Sequence, residues 1–325
     1  MDRTEYDHIR THNMKKRTLT PLLLALGILA ATTTTARITN DGTTKVQPAH
    51  AAIDLKFNLQ PGERYLFSSA VKQEITQEAM GQKIVTLQEI TTDYLYAVKS
   101  KENGITEIDV TMDALKMDTD VGGMQRITFD SNDPEGSTPE MKMMSNIVGK
   151  SFQLFINEDG SIEKVVGFED VFNSTDGAGN EMLKQTFGDS SLVQNMNQIT
   201  NIYPGKAVDI GDTWVKTFSG TIANMMVSKA TTSIELAEVN GEVAVLSMDA
   251  QLSFSKAPEA GGNPMLASAE FEMNGTQSGT ITVDIASGLP IQSTLKQDIS
   301  GTMSIQGMEI PISITSDIIT TGEKR

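Results

Sequence analysis

Tyr94-Leu95-Tyr96-Ala97-Val98-Lys99-Ser100-Lys101-Glu102-Asn103-Gly104-Ile105-Thr106-Glu107-Ile108-Asp109-Val110 is the stretch on which the fold turns. Two runs of polar-apolar character flank Asn103-Gly104, a pair that tolerates the positive φ of a tight hairpin reversal. Followed outward, the runs extend over 83–101 and 104–119, several times the usual strand length of about five or six residues. Native twist accumulates along strands this long, so the sheet they build has to curl.

The same grammar continues on both sides. Ile53, Leu55, Phe57 and Leu59 alternate with polar residues and predict a strand over 53–59. Further strands are expected near 63–79, 124–130, 151–157, 161–168, 213–238, 242–256, 266–285, 289–304 and 308–321, with Asp159-Gly160, Asn240-Gly241 and Gln306-Gly307 as reversals. Helical signals fall in one region. Thr138-Pro139 starts a short helix with Met141, Met144 and Ile147 on one face and Gly149 as its stop. Segments 180–187 and 190–202 are also expected to be helical, the second carrying Leu192, Met196 and Ile199 at spacings of four and three before Pro204. The predicted fold is mainly β (α+β): a long, strongly curved antiparallel sheet or half-barrel with a few helices over its concave side. Pro311 interrupts the last run and marks it as a protected edge strand.

Ahead of this lies a leader. Met14-Lys15-Lys16-Arg17, the apolar run 19–31 and Thr32-Thr33-Thr34-Thr35-Ala36 have the order of a secretory signal peptide. The apolar run falls short of the roughly 20 residues that a transmembrane helix needs. Met14 is read as the initiator, because Asp2, Glu5 and Asp7 place acid ahead of an otherwise basic start. The expected organisation is a leader over 1–36, a linker over 37–52, a first β half with helices over 53–203 and a second β half over 204–325. Export implies the periplasm or cell envelope.

Composition removes whole classes of chemistry. The chain has no cysteine, so disulfides, thiol nucleophiles, Cys-bound metal and a lipid anchor through Cys are excluded. Its three histidines are His8 and His12 in the leader and His50 in the linker, so Ser-His-Asp catalysis and His-based zinc sites are not expected. A net charge of −16 repels phosphate backbones, so no nucleic acid partner is expected. The oxygen-rich run Asp130-Ser131-Asn132-Asp133-Pro134-Glu135-Gly136 departs from a calcium loop, since Pro134 holds its fifth position and Gly136 comes one late. No catalytic residue, metal or cofactor is assigned.

Methionine is conspicuous, with 18 in the chain. Flexible thioethers fill gaps in cores and also line adaptable apolar grooves. On the second of these readings Met141, Met144, Ile147, Leu192 and Met196 line a ligand site. The expected function is non-catalytic binding of a hydrophobic small molecule, a lipid or a lipidated envelope protein. A structural or assembly protein using a long edge strand, and a hydrolase working with carboxylates alone, stand as alternatives.

Several landmarks resemble a family of exported bacterial envelope proteins classed as a domain of unknown function. They are Leu55-Lys56-Phe57-Asn58-Leu59-Gln60-Pro61-Gly62-Glu63-Arg64-Tyr65, Phe129-Asp130-Ser131, Gly149-Lys150-Ser151-Phe152, and Tyr203-Pro204 leading to Val208-Asp209-Ile210-Gly211-Asp212-Thr213-Trp214. The resemblance implies an envelope location and no activity. In outline the predicted architecture is similar to periplasmic lipoprotein carriers and lipid-binding half-barrels. There is also an internal echo: Gly62-Glu63-Arg64-Tyr65 followed by an Asn103-Gly104 hairpin, then Gly211-Asp212-Thr213-Trp214 followed by an Asn240-Gly241 hairpin.

Overall fold

A computed structural model describes residues 52–79, 81–168, 200–222, 225–258, 268–305 and 307–325. The leader, the linker and nearly all of the two expected helices over 180–187 and 190–202 lie outside the described residues. Twelve strands form one antiparallel sheet: β1 (Arg64–Ala79), β2 (Gln82–Glu102), β3 (Ile105–Val121), β4 (Gln125–Asp130), β5 (Ser151–Asn157), β6 (Ile162–Val166), β7 (Thr213–Ile222), β8 (Met226–Asn240), β9 (Val243–Lys256), β10 (Glu270–Asp284), β11 (Pro290–Ile305) and β12 (Met308–Lys324). Their order is β6-β5-β3-β2-β1-β12-β11-β10-β9-β8-β7, with β4 on the far half of β3, and the sheet is not closed into a barrel.

The chain therefore begins in the middle of its sheet. It meanders outward to β6, crosses to the opposite edge at β7 and meanders back until β12 docks beside β1. Asn103 and Gly104 both have positive φ, 51° and 81°, as the hairpin chemistry requires. Curling is demanded by the core. Phe152, Leu154 and Ile156 of β5 share one buried cluster with Ile234 and Leu236 of β8, although the two strands stand eight places apart in the order. A flat sheet would separate them by roughly 38 Å at about 4.8 Å per strand.

Four expectations need correction. The alternation over 53–59 is real in burial, with Leu55, Phe57 and Leu59 all at 2% exposure or less, yet the segment is no sheet strand. It is an extended strap across one end of the curled sheet. The Phe57 N–H donates to the Glu158 carbonyl (2.8 Å), the Asn58 N–H donates to the Ser287 carbonyl (2.7 Å), and Ile53 pairs with Val208 alone. The run 213–238 is two strands, β7 and β8, because the chain reverses so that Ile222 pairs with Met226. The helix after Thr138 is a 3₁₀ helix, Pro139–Asn146.

Finally, β12 is central, paired with β1 on one side and β11 on the other. Pro311 is accommodated because pairing with β1 stops at Ile312, one residue past the proline. The sheet edges are β6 and the ten-residue β7, with β4 paired to β3 alone, so the edge expected at the last strand lies elsewhere.

The internal echo has a structural counterpart. At the entry to β1 the Gly62 N–H donates to the Val98 carbonyl, the Val98 N–H donates to the Glu63 carbonyl, and the Glu63 carboxylate accepts from the Gln60 N–H. At the entry to β7 the Gly211 N–H donates to Leu236, the Leu236 N–H to Asp212, and the Asp212 carboxylate accepts from the Asp209 N–H. A register shift follows Val98 in one copy and Leu236 in the other.

Candidate functional site

Parity along the strands assigns every side chain to a face. Inward residues form rows that run across the sheet. One row is polar: Thr119, Gln88, Gln73, Ser316, Gln297 and Gln277 face one another in register and continue through Ala250 to Thr232. All are buried. Gln73 Nε2 donates to Ser316 Oγ (2.9 Å), Gln88 Nε2 to Thr119 Oγ1 (3.1 Å) and Gln297 Nε2 to Gln277 Oε1 (3.4 Å). This belt divides two apolar clusters, the larger at the strap end and the smaller around Phe218, Phe254, Phe271 and Ile314.

Above the belt the two halves of the inner face differ. On β8 to β12 the side chains Ile234, Met248, Leu295 and Ile318 are at 5% exposure or less. On β1 to β3 the inward residues Phe67, Val71, Ile90, Tyr94, Met112 and Met117 pack against the same cluster but are only partly buried. They form two short apolar rows, Val71-Ile90-Met117 and Phe67-Tyr94-Met112, with Ser69, Thr92 and Leu115 in the row between them. Tyr65, Tyr96 and Val98 close them on the strap side, at 7% exposure or less. Between the belt and the strap, the inward side chains of β1 to β3 carry no charge.

The 3₁₀ helix brings three of the expected lining residues to this cluster. Met144 and Ile147 are buried in it at 6% and 3% exposure, and Met141 packs against it half-buried. Leu192 and Met196 lie outside the described residues. The parity signal of β1 to β3 was present in the sequence, but only the curling of the sheet distinguishes the accessible half of the inner face from the filled half. Trp214 sits inward at the head of β7, its Nε1 donating to the Ile202 carbonyl (2.8 Å), so the single tryptophan anchors the crossing segment. Tyr203, fully buried, donates its hydroxyl to the Gly288 carbonyl.

Among the described residues, the carboxylates whose titration is clearly displaced are held more acidic than usual. Burial works against the Glu63 carboxylate, but donors from Lys324, Tyr65 and the Gln60 N–H outweigh it. Asp118 is lowered by Arg126, Asp130 first by the Asn132 N–H and then by Lys116, and Glu135 by Lys142. At Asp159 burial is outweighed by donation from Ser161. Among the described residues no group of acidic side chains is placed to hold a metal ion.

The convex face is mostly polar, with Lys72 and Glu74 on β1, Thr315 and Asp317 on β12 and Thr276 and Thr280 on β10 all exposed, and with Leu87, Val215 and Ile319 as scattered exposed apolar residues. A barrel that spans a bilayer carries its apolar band outward; this sheet carries it inward. Among the described residues no helix is long and apolar enough to cross a membrane. An open groove of about 430 Å³ does lie on the convex side, around Gly275 and lined by Asn274, Thr276, Gln251, Asp298 and Ser300, but it is shallow and lacks aromatic rings.

No curated protein matches the chain. Among solved structures, the chain is similar to OccK7 (OpdD) of Pseudomonas aeruginosa at 8% identity and TM-score 0.24, covering 81% of this chain and 100% of that one. It is also similar to DynF of the dynemicin biosynthesis pathway of Micromonospora chersina (9% identity, TM-score 0.19, 89% and 94% covered) and to an outer membrane channel of Pseudomonas putida F1 (7% identity, TM-score 0.19, 83% and 98% covered). TM-scores of this size carry no inference. The model of a family of unknown function (DUF6263) matches residues 103–290, more than half of the sequence, and the chain belongs to that family.

Proposed function

We propose that this protein is an exported, non-catalytic binding protein of the cell envelope that holds the apolar part of a lipid or of a lipidated partner against the inner face of β1 to β3. The observation that carries this reading is the partly accessible apolar patch of Phe67, Val71, Ile90, Tyr94, Met112 and Met117 inside an otherwise filled sheet. An accessible apolar surface within a concavity is the ordinary form of a small-molecule site. The signal-like leader read from the sequence supports the exported location.

Native mass spectrometry of gently purified protein tests the reading. An acyl-bearing species is expected to co-purify, and a fluorescent fatty-acyl probe is expected to bind the stripped protein. Ile90→Asp, which sets a carboxylate in the middle of the patch, should weaken probe binding at least about tenfold, given the cost of burying an unpaired charge. Absence of any co-purified acyl species together with absence of probe binding would overturn it.

A further inference from the structure

This inference deepens the preceding reading and rests on it. On β1 to β3 the inner face is ordered in rows that cross the strands. Tyr65, Tyr96 and Val110 face one another at the strap end, and Gln73, Gln88 and Thr119 do so at the belt. Three rows lie between these two: Phe67-Tyr94-Met112, Ser69-Thr92-Leu115 and Val71-Ile90-Met117. Both bounding rows are sealed, and so are Ile75, Thr86 and Val121, the next row past the belt, every one of these residues being at 7% exposure or less. Within the three rows every residue except Leu115 is only partly buried.

The middle row leaves a way through for an alkyl chain. Its hydroxyls are neutral, the Ser69 hydroxyl accepting from Thr320 Oγ1 (3.5 Å), and Leu115 joins Met112 to Met117 along β3 in an apolar track. The belt ends that track. Gln88 Nε2 donates to Thr119 Oγ1 and Gln73 Nε2 to Ser316 Oγ, so a chain forced past this row would break those bonds and meet a region without accessible surface. Gln88 Oε1 is buried without a partner, and the residue therefore stands there at a cost to stability.

The span has a definite length. Tyr65 and Gln73 are eight residues apart on β1, about 27 Å at about 3.4 Å per residue, of which the three rows between them take roughly 20 Å. An extended alkyl chain advances about 1.25 Å per carbon, from tetrahedral geometry at a bond length of about 1.52 Å, so this span holds about 16 carbons.

We infer that the belt, through Gln88, sets the longest acyl chain the protein accepts, about that of palmitate, lying along the strands from the Phe67-Tyr94-Met112 row to the Val71-Ile90-Met117 row.

The test uses saturated fatty acids from decanoate to eicosanoate, each below its micelle concentration, to displace the fluorescent fatty-acyl probe from the stripped protein, for wild type, Gln88→Ala and Ile90→Trp. Thermal melting of each variant checks that the fold is kept. In wild type the inhibition constant is expected to fall by up to about fourfold per added carbon, the value of one buried methylene, as far as palmitate. Stearate and eicosanoate should gain nothing further. Gln88→Ala shortens the belt side chain and should move the break about two carbons longer; Ile90→Trp fills the row before the belt and should move it about two carbons shorter. Tightening that runs unbroken to eicosanoate, equal affinity at all lengths, or a break that stays in place in a folded variant would overturn the inference while leaving the apolar site standing. Failure of the probe and of every fatty acid to bind would overturn the site as well.

Discussion

At the scale of residues, two glycines hold the closed end of the sheet. Gly160 (φ +79°) sits in the turn between β5 and β6 and Gly288 (φ +68°) in the turn between β10 and β11. A Cβ at Gly160 would overlap the Thr200 carbonyl, and one at Gly288 the Lys56 carbonyl. Gly160→Ala and Gly288→Ala should each cost about 3 kcal/mol or more in urea unfolding, combining left-handed strain with backbone overlap. Gly241→Ala shares the handedness (φ +61°) but meets no atom within 4 Å, so about 1 kcal/mol is expected there. The Asp159-Gly160 turn was legible in the sequence as a reversal. Its second duty, letting a distant segment pass over it, was not, because local turn chemistry says nothing about what crosses above.

Glu63 gives a pH prediction at the same scale. Its carboxylate is lowered in the folded chain by Lys324, Tyr65 and the Gln60 N–H, against the opposing effect of burial. A depressed folded value contributes stability that is present above the ordinary carboxylate range and is lost as pH falls through the folded value. Glu63→Gln should therefore be less stable than wild type at neutral pH. The gap should narrow below the usual glutamate range and vanish in strong acid; a gap independent of pH would remove the ionic contribution.

At the scale of elements, the strap over 53–59 carries more than its lack of sheet pairing suggests. Leu55, Phe57 and Leu59 are fully or almost fully buried in the main cluster, and Phe57→Ala is expected to cost about 3–5 kcal/mol, read from the shift in urea midpoint. The polar belt behaves in the opposite sense. Gln297 Oε1 is buried without a partner while its Nε2 meets Gln277. Replacing Gln277 and Gln297 together by Leu should leave stability unchanged or raise it by about 1 kcal/mol, since both polar groups leave at once. Strand lengths and hairpins were read correctly for most of the chain, because period two and Asn-Gly reversals are local. The strap was misread because burial parity alone cannot tell a strand in a sheet from an extended segment lying across one. The 213–238 run was misread because its reversal lacks a strong turn signal before Met225.

At the scale of the molecule, the chain starts in the middle of its own sheet and finishes beside its starting strand. That arrangement was invisible from sequence, since strand order depends on pairings between residues as distant as Tyr65 and Lys324. It makes β12 the joint between both halves. Truncation before Met308 should abolish the cooperative thermal transition, whereas a sheet of two independent halves would keep one transition for each. The accessible half of the inner face is likewise a property of curling: the same alternation that places Ile318 and Leu295 in a filled core leaves Ile90 and Met117 within reach.

That contrast can be read directly from methionine methyl resonances. In ¹³C-methyl-methionine NMR, addition of the fatty-acyl probe is expected to shift the Met112 and Met117 methyl signals of the inner face. Buried Met303 and Met124, which is 74% exposed at a hairpin tip, should stay in place. Unmoved Met112 and Met117 at saturating lipid, or shifts confined to Met124, would contradict an acyl site inside the curled sheet.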